Sequence, residues 1–434
     1  MTRRELLAAA PVVAMAQTSK PNFVVILMDD LGCTDLGCYG AVDLKTPNID
    51  ALAAGGTRYT SWYSNAPVCA PARAALLTGR YPASAGVPNN GPSLPADRMT
   101  IGNYLKPAGY RSALVGKWHL GTPPNAGPMQ RGFDEYYGFH SGCVDFYSHR
   151  FYWNGNYHDL YRNGKEIFED GQYLTERLTE EGCAFIKRSA SEPFFLYLAY
   201  NAPHYPMHAP QKYKDRFKRL GAERQTYAAM IAAVDDGVGQ VIETLKKNGA
   251  DQNTCIVLLG DNGATTEVRA GLDGKPATAG SNAPYRGHKF SLFDGGMHVP
   301  CIWNFPGQVP AKKVESKPAM SMDILPTFLD YAGIAAGDSV EGKSLRKGRE
   351  TLYWQLEKQQ AIREGNWKLV RNGITHSVDA ATGKIDNQPQ TGEDEIFLSD
   401  LSKDPGETKN LRRQHPEVVD QLLTKLGGWA STQR

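Results

Sequence analysis

Neither sign of charge dominates this chain. Its 48 lysines and arginines against 46 aspartates and glutamates leave a formal +2, and no basic run concentrates the surplus. A nucleic-acid partner has no electrostatic footing here, so any selectivity for anions has to be local. Beyond the first residues the chain has no stretch of the roughly 20 apolar residues that a membrane span needs. Paired cysteines are missing too. The seven cysteines, an odd number, are scattered without a Cys-x-x-Cys motif, so neither a zinc framework nor a disulfide scaffold is indicated. Cys33 and Cys38 are candidates to pair if oxidised, while Cys183 and Cys255 sit in apolar periodic segments and read as core residues. No internal repeat is visible.

What is present fits a large enzyme-like chain. At 434 residues it can bury a sizeable core, as two or three units or as one large α/β domain with an appendage. Arg3-Arg4 followed by an apolar stretch from Leu6 to Ala16 reads as an export signal over residues 1–16, of twin-arginine or Sec type, which predicts a periplasmic or secreted protein.

Strand-like runs alternate with helical patterns, which predicts a large mixed, mostly parallel sheet flanked by helices. The runs are Phe23 to Met28, Ser112 to Val115, Phe194 to Ala199 and Cys255 to Leu259, and a helical stripe from Tyr227 to Leu245 ends near Gly249. Each run is followed by chemistry: Asp29-Asp30, then Lys117-Trp118-His119, then Asn201-Ala202-Pro203-His204, then Asp261-Asn262-Gly263. Ligands of open α/β sheets bind outside the carboxyl ends of the strands, so these groups are expected on one rim. A helix from Met322 to Tyr331 stops at Gly333. Short strands near Trp367 to Val370 and Ile396 to Leu398, and a helix from Pro416 to Trp429, then predict a small C-terminal α+β subdomain, with an exposed loop over 372–394. The expected division is a catalytic domain over 17–335 and a subdomain over 336–434.

Cys69-Ala70-Pro71-Ala72-Arg73 opens a further helix that Gly79 can end. That places Cys69 at an exposed helix start, where free N–H groups and Arg73 can meet an oxyanion. Asp29, Asp30, Asp261 and Asn262 supply hard oxygen ligands without His or Cys, a set suited to Ca²⁺ or Mg²⁺. In an extended stretch Lys117 and His119 point to one side and Trp118 to the other. The segment from Phe146 to Tyr161, with Trp153 and Tyr157 among its aromatics and Arg162-Asn163-Gly164 after it, suits sugar faces and hydroxyls.

Taken together, these residues resemble type I sulfatases of the alkaline-phosphatase-like superfamily. Cys69 to Arg73 with Leu77-Thr78-Gly79-Arg80 is similar to the family's first signature, and Gly109-Tyr110 through Gly116-Lys117-Trp118-His119-Leu120-Gly121 to its second. The likeness extends over Asp29-Asp30, Ala202-Pro203-His204, Gly260 to Gly263, Gly287-His288-Lys289, Asp294-Gly295-Gly296 and Glu395 to Asn410, nearly all of the chain after the leader. Within the family it is similar to arylsulfatase-like members and to those acting on sulfated glycans such as N-acetylgalactosamine 6-sulfate.

The resemblance implies that a maturation enzyme converts Cys69 to Cα-formylglycine, whose hydrated aldehyde attacks sulfur and later expels sulfate. It implies that Asp29, Asp30, Asp261, Asn262 and the converted Cys69 bind one Ca²⁺, and that Asp261 accepts the attacking hydroxyl's proton. Arg73 would hold the formylglycine hydrate, Lys117 and Lys289 would neutralise sulfate charge, His204 and Lys289 would protonate the leaving alkoxide, and His119 would deprotonate the second hydroxyl. The implied substrate is a sulfated carbohydrate, with an aryl sulfate as the simpler alternative. Ala72 stands where many members have Ser, Asp294 where many have Glu and His298 where many have Arg; the last two are expected to tune the pocket. Two rival readings remain at this point: a phosphodiester or phosphonate hydrolase on the same scaffold, and a catalytically silent glycan-binding protein.

Overall fold

The computed structural model describes residues 20–433 except 154, 190, 272, 273, 380 and 381, so the expected export signal over 1–16 lies outside the described residues. A ten-stranded sheet organises them. In chain order its strands are β1 (Asn22–Met28), β2 (Thr57–Tyr59), β3 (Arg111–Lys117), β4 (Glu135–Phe139), β5 (Tyr161–Arg162), β6 (Lys165–Glu166), β7 (Phe194–Ala199), β8 (Thr254–Gly260), β9 (Cys301–Asn304) and β10 (Lys313–Glu315). Across the sheet they run β10-β2-β9-β8-β1-β7-β3-β4-β5-β6. The middle five, β8-β1-β7-β3-β4, are parallel, and antiparallel pairs flank them. All four apolar runs read from the sequence are strands of this parallel block.

Parallel strands are joined by crossovers that cover both faces, so their residues are buried on either side. Every residue of β1, β7 and β8 is buried. On one face Val24, Ile26 and Met28 pack with helices α2 (Leu174–Arg188) and α3 (Ala222–Lys247). On the other, Phe23, Val25 and Leu27 pack with α1 (Cys69–Thr78) and α4 (Ile324–Ala332). Both α1 and α4 stop at a glycine in the left-handed region, Gly79 (φ 65) and Gly333 (φ 68).

The C-terminal residues form a four-stranded antiparallel sheet of β11 (Thr351–Leu356), β12 (Gln359–Glu364), β13 (Trp367–Arg371) and β14 (Ile396–Asp400). Helix α5 (Pro416–Thr432) covers it through Val419, Leu422 and Leu426. The described part of 372–394 is only partly the exposed loop expected: His288 N–H donates to the Thr375 carbonyl and the Thr266 hydroxyl to the His376 carbonyl, which ties residues 375 and 376 to the loops around the site. Cys33 and Cys38 are free thiols. Among the described residues no helix is long and apolar enough to cross a membrane.

Candidate active site

Strand register builds the site. Met28 pairs with Gly260, Leu27 with Ala199 and Ala199 with Gly116, so four parallel strands end at one level. The residues leaving those ends meet there. Asp29 N–H donates to the Ala202 carbonyl and Asp261 N–H to the Met28 carbonyl. Asp30 turns into the left-handed region (φ 58), and its N–H donates to Asp261 Oδ1 at 3.1 Å. Asn262 Nδ2 and Lys289 Nζ both donate to Asp30, at 2.7 and 2.9 Å. Lys117, the last residue of β3, donates to Asp29 Oδ2 at 2.6 Å.

Helix α1 delivers Cys69, but not at the surface as expected: all ten of its residues are buried, and Cys69 is 1% exposed. The reason is legible afterwards in the composition, since Ala, Leu and Pro surround the whole helix and leave no polar face to solvate. Cys69 Sγ lies 3.4 Å from Asp29 Oδ1 and 3.9 Å from Asp30 Oδ1. Burial, then the Asp29 charge, push the thiol well above its ordinary range, so the unmodified side chain is a protonated donor and a poor nucleophile. Arg73 lies beneath the cavity, its Nη2 3.4 Å from the Asp29 Oδ1 that Cys69 also approaches. Its Nη2 and Nε reach Asp261 Oδ2 at 2.8 and 3.1 Å, and its Nη1 donates to the Lys117 carbonyl.

The result is two tiers. Below lie Asp29, Asp30, Asp261, Asn262, Arg73 and Lys117, all buried. Burial opposes ionisation of Asp29, yet Lys117 first, with Arg73 and Lys289, outweighs it and holds the carboxyl well below the usual range. For Asp261 burial and the Asp29 charge prevail, pushing it up to about 7. Ligand atoms of Asp29, Asp30, Cys69 and His204 lie within 4.8 Å of one another, and the buried Asn262 Oδ1 has no hydrogen-bond partner. Three buried carboxylates brought together, with an idle amide oxygen beside them, are a place for a hard cation.

Above lies a cavity of about 470 Å³ whose floor includes Cys69, His119, His204 and Lys289. His119 lines the cavity while Lys117 lies beneath it, and strand alternation does not place them: His119 breaks the strand at φ 57, while Trp118 packs against Phe133 and donates Nε1–H to the Ala126 carbonyl. Burial, then Lys117, push His119 well below its ordinary range, and its Nδ1 is buried without a partner. Gly142 packs on this ring so closely that a Cβ there would sit 2.7 Å from Nε2. His204 is pushed down to about 4 by burial. Its Nδ1 lies 2.7 Å from the Tyr205 carbonyl, which only accepts, so Nδ1 carries the hydrogen and Nε2 is left as an acceptor 3.4 Å from Lys289 Nζ. Lys289 also meets Glu267 at 3.2 Å.

Among the described residues of the aromatic stretch from Phe146 to Tyr161, only Phe151, Trp153 and Tyr157 line the cavity; Phe146 and Tyr147 pack with Tyr173 instead. Asp294 and His298 do not tune the pocket. Asp294 accepts from Lys368 and the Tyr63 hydroxyl, and His298 bridges Cys33 and the Thr60 carbonyl. Their neighbourhood in sequence to Lys289 misleads because the four-residue helix Asp294–Met297 turns its side chains towards β13. Sequence reasoning missed Asn90, whose Oδ1 accepts the Ala70 N–H at the start of α1, and the pair Glu267 and Arg269. Glu267 is held down to about 2: burial opposes ionisation, but Lys289 and Arg269 outweigh it. The only signal for these two was their position soon after Asp261-Asn262-Gly263.

Comparison with known proteins follows the same lines. The family model described as sulfatase matches residues 21–334, and that described as N-sulphoglucosamine sulphohydrolase, C-terminal, matches 287–431. An N-acetylgalactosamine-6-sulfatase of Canis lupus familiaris is 31% identical over 96% of this chain and 86% of its own length. Arylsulfatase J of Mus musculus is 29% identical over 97% and 78%. A solved structure of Ps i-CgsB in complex with k-i-k-neocarrahexaose superposes with a TM-score of 0.85 at 31% identity, covering 96% of this chain and 94% of that one.

Proposed function

From the premise that this chain belongs to the sulfatase family and hydrolyses sulfate esters, we propose that its substrate is a sulfated carbohydrate and that Cys69 is converted to Cα-formylglycine. The relatives named for N-acetylgalactosamine 6-sulfate and for a carrageenan oligosaccharide support the sugar, as do the exposed rings of Trp153 and Tyr157 at the cavity mouth. The observation that carries the reading is Cys69 itself: at the floor of the cavity, against two carboxylates, and protonated, it is useless as a thiolate. The phosphodiester alternative finds no footing among relatives that are named sulfatases.

The lower tier fits a Ca²⁺ ion, held by Asp29, Asp30, Asp261, Asn262 and the converted Cys69. Its donors are oxygens, one of them the idle Asn262 Oδ1. When in place, the cation supplies Lewis acidity and formylglycine supplies a hydroxyl nucleophile. This chain's own residues do the rest. Arg73 pins Asp261, whose other oxygen takes the Asp30 N–H, so the carboxylate is fixed to accept a proton. Lys117, bonded to Asp29, and Lys289, bonded to Asp30, neutralise sulfate charge. His119, neutral and with an idle Nδ1, is the base for the second hydroxyl. At the leaving oxygen the proton starts on Lys289, with His204 Nε2 as its acceptor and relay.

As part of the same reading, residues 1–16 are the export signal of a periplasmic or secreted enzyme. The catalytic unit is 17–335 and the smaller unit 336–434, supported by the antiparallel sheet lying wholly after residue 350.

The test is a paired assay on protein made with its maturation enzyme, reading inorganic sulfate from sulfated sugars and phosphate from matched phosphate esters. Sulfate release that vanishes in Cys69→Ala and after removal of divalent ions is the expected result. Full activity in Cys69→Ala, or a preference for the phosphate esters, would overturn the reading.

A further inference from the structure

We propose that Arg269 forms a second anion subsite on the leaving-group side of the cavity, taking a carboxylate or a further sulfate on the sugar being released or on its neighbour. This rests on the sulfate-ester reading above and narrows its substrate to glycans bearing more than one negative group.

The Arg269 guanidinium carbon lies 3.9 Å from the centre of the Trp153 ring and 5.0 Å from that of Tyr205. Rings against a guanidinium cover its faces and leave its donors at the edges, in the fork that meets a carboxylate or sulfate two hydrogens at a time. One of those donors, on Nη2, goes to Glu267. Glu267 also pairs with Lys289, which Asp30 holds from a second side, so Arg269 has only a shared carboxylate as its own counter-charge.

The placement gives direction. Lys289 touches His204, the His204 ring lies 3.9 Å from that of Tyr205, and Tyr205 leads to Arg269 and then Trp153. This row runs from the proton-delivering end of the site to the mouth, where Trp153 is 46% and Tyr157 48% exposed. Large rings left open beside a cavity mark a ligand surface. The part of the substrate that meets Arg269 is therefore the part that departs, and an uncharged aryl or alkyl group there would leave the fork without an acceptor.

The test compares kcat/KM on three probes: the sulfated hexosamine alone, the same sugar with a second sulfate, and the same sugar linked to a hexuronate. Each enzyme's ratio between probes is independent of its folded or converted fraction, so an unstable variant still reports. Wild type should prefer one or both doubly anionic probes by about 10- to 100-fold, the range for a charged hydrogen-bonded pair. Arg269→Gln should bring that ratio close to one, and Arg269→Lys, which keeps the charge without the fork, should fall between. Whichever probe responds identifies the anion. An unchanged ratio in Arg269→Gln overturns the subsite. If wild type cleaves no sulfate ester, the sulfatase reading fails by itself. Calorimetric binding of the disulfated sugar then decides the subsite, equal Kd for wild type and Arg269→Gln refuting it and weaker binding to the variant supporting it.

Discussion

In the proposed mechanism a proton passes between Lys289 and His204, whose surroundings differ. Burial strips His204 of charge, while the Asp30 and Glu267 carboxylates outweigh the same burial to hold Lys289 well above its ordinary range. The pair should therefore act as one acid. His204→Ala and Lys289→Ala should each cost about 10²- to 10⁴-fold in kcat/KM on a sugar sulfate, whose leaving alkoxide needs a proton. On 4-nitrophenyl sulfate, whose phenolate departs unaided, His204→Ala should cost far less. Lys289→Ala should retain part of its loss there, because in the proposed mechanism the lysine also neutralises sulfate. Equal losses for His204→Ala on both substrates would remove it from proton delivery. These residues were legible in the sequence because each follows or sits within a recognisable run. Arg269 and Glu267 were not, since a loop without periodicity gives no sign of where its side chains point.

At the scale of single elements, the carboxyl end of β3 shows how backbone geometry places chemistry. Gly116 has φ 115, and a Cβ built on it would lie 1.9 Å from the Ala199 carbonyl oxygen of β7. No L side chain fits there without parting the two strands, and Lys117 follows directly. Gly116→Ala should cost about 2 kcal/mol or more of stability in chemical denaturation and lower kcat as Lys117 shifts. Unaltered stability and turnover would show that the strand ends tolerate displacement. The strands themselves were plain in the sequence, as buried parallel strands are uniformly apolar. What the sequence concealed was orientation. An Ala-rich helix start looked exposed when it was enclosed, and the helix after Lys289 looked like pocket wall when it faces the second sheet.

In the whole molecule, the smaller sheet is fastened to the larger body by buried charge. Lys368 of β13, 0% exposed, reaches Asp294 at 2.6 Å and Glu407 at 3.1 Å, while Asp294 also accepts the Tyr63 hydroxyl at 2.7 Å. Removing one partner of such a group leaves the rest uncompensated, which costs about 3–5 kcal/mol. Lys368→Ala should lower the unfolding free energy in chemical denaturation by that amount and lower specific activity only through the fraction unfolded. A stability near wild type would mean that the two units are held by packing alone. The sequence predicted both units, but this join draws on residues far apart in the chain and carried no local signature.

The account turns on what Cys69 is in the working enzyme. Peptide mass spectrometry of protein purified from its own host, or from a host with a formylglycine-forming maturation enzyme, reads that directly. The prediction is a peptide in which Cys69 has lost its sulfur and gained an aldehyde oxygen, in a proportion that tracks specific activity for sulfate release from batch to batch. An intact Cys69 thiol in fully active protein would contradict it.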